Sequence, residues 1–177
     1  MGDVWTIGHS TRSLDEFIAI LQAHEIEAIV DVRRFPGSRR LPHFNAGPLA
    51  EGLERAGIAY RSLPSLGGRR RPAPDSVNTG WRHEAFRGYA DHLASEEFAD
   101  GLFELLMAAG GLRTAVMCAE MLWWQCHRRL IADVLLTLGY RVWHIQTEKP
   151  AEAHRLMEPA RLVYGRLSYS ADQDTLF

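Results

Sequence analysis

Eight side chains in this sequence have the types and spacing to do chemistry together: His9, Asp31, Arg33, Cys118, Glu120, Cys126, His127 and Arg128. Asp31 and Glu120 form a carboxylate pair of the kind used for acid–base or metal-assisted hydrolysis, with His9 or His127 moving protons and arginines holding phosphate. Cys126-His127-Arg128 stands where a helix begins. Free backbone N–H groups and the helix dipole favour an anion there and depress a thiol pKa. Cys126 is therefore also a candidate nucleophile, or a redox partner of Cys118. Cys118, Cys126 and His127 are the right donor types for a catalytic zinc with water in the fourth place, at a nonstandard spacing, and a divalent metal is the candidate cofactor. A phosphatase or rhodanese-like loop needs an arginine five intervening residues after its cysteine, and from Cys118 that position is Trp124. Each residue also has a structural alternative: Cys118 as a small core hydrophobe, Asp31 and Arg33 as a strand-end ion pair. Their convergence on one edge argues for a site, because charges and thiols seldom collect for packing alone.

Convergence requires elements that bring these residues together. Apolar runs at residues 4–7, 28–32, 59–63, 114–118 and 141–145 alternate with helical patterns, the order that builds a mostly parallel sheet covered by helices. Ser13-Leu14-Asp15-Glu16 has the spacing of a capping box, and the helix it starts should end near His24. Further helices are expected over residues 48–56, 84–93, 96–109 and 125–138, the third of these capped by Ser95. The expected architecture is a single α/β domain, a mostly parallel sheet of about five strands with helices on both faces. It spans residues 1–150, with basic loops near 33–45 and 64–82, and a C-terminal extension follows over 151–177. In open sheets of this kind ligands bind beyond the carboxyl ends of the strands, where the eight residues lie.

The net charge of −2 conceals an asymmetry. Residues 33–87 carry 11 arginines against 4 acids, a basic segment on an acidic body, and of all the basic residues only Lys149 is a lysine. Clustered arginines suit an anionic partner, phosphate above all. Ser10, Arg12, Arg39, Arg40, Arg69, Arg70, Arg71, Trp81 and Arg82 are accordingly the candidate substrate-binding residues, with nucleic acid as the candidate partner. Phe35, Phe44, Trp81 and Phe86 could stack on unpaired bases. Two cysteines exclude a disulfide scaffold, and the chain starts without a basic leader or a run near about eighteen apolar residues. Membrane spanning and secretion are not expected; a cytoplasmic location is.

The motifs Thr6-Ile7-Gly8-His9-Ser10, Val30-Asp31-Val32-Arg33 with Pro36-Gly37-Ser38, Phe44-Asn45, Trp81-Arg82, Phe86-Arg87-Gly88-Tyr89, Met117-Cys118-Ala119-Glu120 and Cys126-His127-Arg128 resemble those of the bacterial domain of unknown function 488 family. The resemblance runs over about residues 6–145. It implies an α/β domain with its site at those motifs, and no established reaction. At the other end, Gln173, Leu176 and Phe177 in Gln-x-x-Leu-Phe resemble the peptide by which bacterial repair proteins dock on the DNA sliding clamp. The leading expectation is a protein acting by hydrolysis on nucleic acid or nucleotides in DNA maintenance. One alternative is a non-catalytic DNA-binding or clamp-associated adaptor; another is a small-molecule enzyme that uses the Cys126-His127-Arg128 helix start as an anion or thiolate site.

Overall fold

The computed structural model describes residues 2–171. Its first strand, β1 (Asp3–Gly8), runs into the capping box at Ser13. The Ser13 hydroxyl accepts from the Glu16 amide at 3.1 Å and the Glu16 carboxylate accepts from the Ser13 amide at 2.9 Å, so two otherwise orphaned donors are met. The helix that follows, α1 (Leu14–Ala23), buries Phe17, Ile20 and Leu21. It leads to β2 (Ala28–Asp31), buried at every residue: Ala28, Ile29 and Val30 as apolar side chains, Asp31 through its hydrogen bonds to Arg33 and Tyr60. Then come α2 (Ala46–Arg55), the exposed edge strand β3 (Ala59–Ser62), α3 (Glu84–His92) and α4 (Glu96–Ala109). The core elements close with β4 (Thr114–Cys118), α5 (Arg128–Thr137) and β5 (Arg141–Ile145).

These strands form one sheet in the order β3-β2-β4-β1-β5, all parallel. A sixth, β6 (Glu152–Ala153), adds antiparallel to β5. Beyond it β7 (Arg161–Val163) and β8 (Arg166–Ser168) form a separate hairpin. Its two-residue turn, Tyr164-Gly165, has φ of 50° and 76°, the primed conformation that matches strand twist. The α/β architecture is as the sequence implies; β6 to β8 lie where sequence periodicity fades.

Alternating strand residues divide the core into two layers. Trp5, Ile7, Ile29 and Met117 pack with Phe17 and Leu21 of α1 and Leu49 and Leu53 of α2. Val4, Val30, Val116 and Val142 face Tyr89, Phe98, Leu105 and Leu130 of α3, α4 and α5. The chain leaves β1 through α1 on one face and leaves β4 through α5 on the other, and the two strands are neighbours. Their carboxyl ends therefore make the switch point at which open sheets leave a crevice. Backbone holds this point closed: the His9 and Ser10 amides donate to the Cys118 and Ala119 carbonyls, both at 2.9 Å. A Cβ on Gly8 would lie 1.7 Å from the Glu120 carbonyl oxygen, so only glycine fits. No helix among the described residues is long and apolar enough to cross a membrane.

Candidate active site at the carboxyl edge of the sheet

A cleft of about 400 Å³ opens beyond the ends of β2 and β4. Arg33, Arg34 and Phe35 form one wall, Gly68 and Arg69 with His83 and Phe86 form another, and Cys118, Glu120, Cys126 and His127 form the floor and rim. The volume falls within the range that holds a small organic ligand.

Cys118 is the last residue of β4 and Cys126 stands two residues before α5. Helix α5 starts at Arg128, not near residue 125: residues 123–125 form a tight 3-10 turn, Cys126 is extended, and His127 caps the helix. The two sulfurs are 2.7 Å apart, and Cys126 Sγ also lies 3.6 Å from His127 Nδ1 and accepts from the Arg128 amide at 3.5 Å. Burial works against a thiolate on either sulfur. Cys126 nonetheless lies well below the usual thiol range, because the Cys118 S–H, His127 and Arg128 all favour its charged form. Burial and the neighbouring Cys126 push Cys118 the other way. His127 lines the cleft, rests 5.0 Å from the Tyr89 ring, and its Nε2 has no hydrogen-bond partner. Glu120 is exposed at the rim.

Arg128 does not line the cleft; it lies beneath it, 1% exposed. Its guanidinium donates to the Glu120 and Met121 carbonyls and to Thr6 Oγ1, clamping the loop between the two cysteines onto β1. From Thr6 a polar chain continues through the core. Thr6 Oγ1 bonds His144 Nδ1 at 2.7 Å, His144 Nε2 bonds His154 Nδ1 at 2.9 Å, and His154 Nε2 bonds Asp133 Oδ1 at 2.9 Å. Tyr169 closes it by donating to Asp133 Oδ2 at 2.7 Å. One arrangement of protons, with both histidines neutral and each donating from Nε2, satisfies every link. Burial, His154 and Arg128 hold the pKa of His144 down at about 2. Sequence reasoning missed this chain. Its only signal was Thr6 and His144, polar residues inside otherwise apolar strands and partners in the β1 and β5 register.

Asp31 and His9 form a different cluster on the other side of Arg33. Asp31 is fully buried: Oδ1 accepts from the Arg33 amide at 3.1 Å and Nε at 2.9 Å, Oδ2 from Arg33 Nη2 and the Tyr60 hydroxyl, each at 2.7 Å. Arg33 Nη1 lies 3.3 Å from His9 Nε2, and His9 Nδ1 is 2.8 Å from the Ser10 carbonyl. Burial holds the His9 pKa down at about 4; Arg33 adds to this and the Ser10 carbonyl opposes it. His9 is thus a neutral ring that donates to Ser10 and accepts from Arg33, stacked 4.2 Å from Phe44.

Of the eight predicted catalytic residues, Arg33, Cys118, Glu120, Cys126 and His127 line the cleft; His9, Asp31 and Arg128 do not. Among the predicted binding residues only Arg69 lines it. Arg12 is bound to the Gly8 and Gln146 carbonyls, and Arg70 pairs with Glu97 at 2.9 Å. Ser10 is in the left-handed region at φ 52°. Arg39, Arg40, Arg71 and Arg82 are exposed away from the cleft. Trp81 is buried between Phe86, Tyr169 and Arg129, so it packs rather than stacks on a base. Arg34 and His83 are cleft residues absent from the predicted set, while of the aromatics expected to stack Phe35 and Phe86 line the cleft and Phe44 does not; Arg34 and Arg69 place their guanidinium groups 5.5 and 6.0 Å from the Phe35 ring. Gln173, Leu176 and Phe177 lie outside the described residues.

A zinc centre does not fit the cysteines as they stand. Two thiolates on one tetrahedral zinc with bonds of about 2.3 Å sit roughly 3.8 Å apart, and these sulfurs are 2.7 Å apart. Among the described residues no three His, Cys, Asp or Glu side chains group as metal ligands.

Fold and cleft together define a layered α/β protein with a cysteine-histidine centre at the carboxyl edge of the sheet, beyond β2 and β4. The family model described as Domain of unknown function DUF488 matches residues 13–135, more than half of the chain, and the protein belongs to that family. The match covers both cysteines but stops short of residues 6–145 at both ends, so Gly8-His9-Ser10 falls outside it. Neither a curated protein nor a solved structure matches the chain.

Proposed function

We propose that this protein is a thiol-dependent hydrolase of nucleotides, or of a nucleotide unit exposed in nucleic acid, with Cys126 as nucleophile. The observation that carries the reading is Cys126, a cleft residue whose Sγ lies 2.7 Å from Cys118 Sγ and 3.6 Å from His127 Nδ1. Arg33, Arg34 and Arg69 on the walls supply the cations for a phosphate, and Phe35 and Phe86 supply flat apolar faces for a ring. The thiolate attacks phosphorus, an S–P bond forms, the ester P–O bond breaks, and the departing oxygen takes a proton from His127. Water then attacks the phosphorus with Glu120 taking its proton, the S–P bond breaks and the thiolate returns. The proton passes back from Glu120 to His127 through solvent.

The test is turnover by the full chain on a panel of nucleoside mono-, di- and triphosphates and a single-stranded oligonucleotide, read by chromatography. Turnover that falls at least about a thousandfold in Cys126→Ala supports the reading. Equal turnover in that variant overturns it, as does no turnover with any of the panel combined with no protection of Cys126 from alkylation. A role in DNA maintenance through the sliding clamp rests on the sequence of Gln173, Leu176 and Phe177. It is tested by clamp binding before and after removal of residues 173–177: loss on removal supports it, unchanged binding or none overturns it.

A further inference from the structure

The reactive sulfur has a second sulfur beside it, and both are held from outside by backbone. The Cys118 carbonyl accepts from His9 at 2.9 Å; the Cys126 amide donates to the Trp123 carbonyl at 3.2 Å, and its carbonyl accepts from Arg129 at 3.0 Å. Arg128 clamps the intervening loop through the Glu120 and Met121 carbonyls. At 2.7 Å, the sulfurs need to close by only about 0.7 Å to reach a disulfide bond of roughly 2.05 Å. Both cysteines line the cleft, which gives a small oxidant a path to them.

We infer that Cys118 and Cys126 form a reversible disulfide when the protein meets a hydroperoxide, and that this bond switches off the site. The inference deepens the proposed function and rests on its reading of Cys126 as a reactive thiolate. The Cys126 thiolate attacks the terminal peroxide oxygen, the O–O bond breaks, and the oxygen that leaves takes a proton and departs as water or alcohol. Cys126 is then a sulfenic acid. Cys118 Sγ attacks that sulfur, the S–O bond breaks, hydroxide leaves with the Cys118 proton as water, and the S–S bond forms. Two thiols are oxidised by two electrons and one peroxide is reduced. Without the free thiolate the nucleophile is gone until a dithiol reduces the bond. Cys118 is thereby a resolving partner placed to intercept the sulfenic acid before further oxidation makes the damage permanent.

The chain has two cysteines, so thiol counting is unambiguous. Reduced full-length protein is treated with a small excess of hydrogen peroxide, then denatured for thiol titration and intact mass. The expected result is loss of both thiols from a monomer, a mass lower by about 2 Da, and recovery of both thiols with dithiothreitol. Turnover on the panel should fall at least tenfold and return on reduction. In Cys118→Ser, Cys126 should instead gain about 16 and then 32 Da as it climbs to the sulfinic acid. A wild-type product about 32 Da heavier with Cys118 still titratable, or a disulfide-linked dimer, overturns the inference. Alkylation of the reduced protein by iodoacetamide separates the two claims. Fast, selective labelling of Cys126 without peroxide-driven disulfide defeats the switch alone; absence of selective labelling defeats the reading on which it rests.

Discussion

Arg33 stands between two clusters, each with a histidine and a carboxylate, that have opposite character. On one side Asp31, His9 and Tyr60 form a closed set: Asp31 is fully buried and each of its oxygens accepts two hydrogen bonds. On the other side Cys118, Cys126, His127 and Glu120 open on the cleft, and His127 Nε2 has no partner. Both clusters follow strand ends, where sequence reasoning places a site. What separates them is that the second set lines a cavity. A carboxylate with all its lone pairs engaged holds structure; a thiolate beside an open volume is available for reaction.

That contrast can be broken most severely at Asp31. Asp31→Ala strands the Arg33 guanidinium and the Tyr60 hydroxyl, and should cost about 3–5 kcal/mol of folding stability, measured by urea denaturation. Were it instead to abolish turnover while leaving stability intact, the closed cluster would belong to the reaction.

Acid sharpens the same contrast. His9, at about 4, and His144, at about 2, both titrate below the ordinary histidine value of 6.5. Between the folded and unfolded values the unfolded chain binds more protons, so stability is fully present above about pH 6.5 and is lost as pH falls toward 4. Denaturation midpoints at pH 7 and 4.5 should show this loss, with a shallower slope in His9→Asn. A flat profile would mean that His9 and His144 are not held neutral.

Smaller effects distinguish support from contact. Tyr169→Phe leaves one Asp133 oxygen without its donor in the core and should cost about 1–3 kcal/mol, seen as a lower melting temperature. Turnover should change little, because Tyr169 does not line the cleft and its hydroxyl bonds Asp133. Arg69→Ala, at the exposed cleft wall, should weaken phosphate or nucleotide binding about two- to fivefold with no change in melting temperature, measured by titration calorimetry. A larger loss of stability than of affinity would move Arg69 to the structural side.

The distribution of these roles explains what the sequence could and could not convey. The α1 capping box and the parallel strands were legible, because local periodicity and spacing determine them. Cys118 and Cys126 were legible as neighbours because β4 and α5 are adjacent in sequence. The chain through Thr6, His144, His154, Asp133 and Tyr169 was not, since its members lie on different elements and meet only in the folded core. Strands β6 to β8 are two or three residues long, too short to show a period. Asp31 and Arg33 were ambiguous for another reason. An acid and an arginine two apart at a strand end suit a site and an ion pair equally, and only burial with Tyr60 as an added donor decides between them. Trp81 was misplaced similarly: its flanking sequence is that of a basic loop, but Arg129 and Tyr169 cover it from distant positions.

The central claim is that Cys126, not the carboxylate cluster, is the reactive centre, and the most direct measurement is the pH dependence of iodoacetamide labelling at each cysteine, resolved by peptide mass spectrometry. A thiolate held below the usual range reacts at lower pH than a free thiol, whose pKa is about 8.5. The account predicts that Cys126 is labelled at least tenfold faster than Cys118 at pH 7, with a midpoint well below 8.5. Equal, slow labelling of both cysteines with midpoints at or above 8.5 would contradict it.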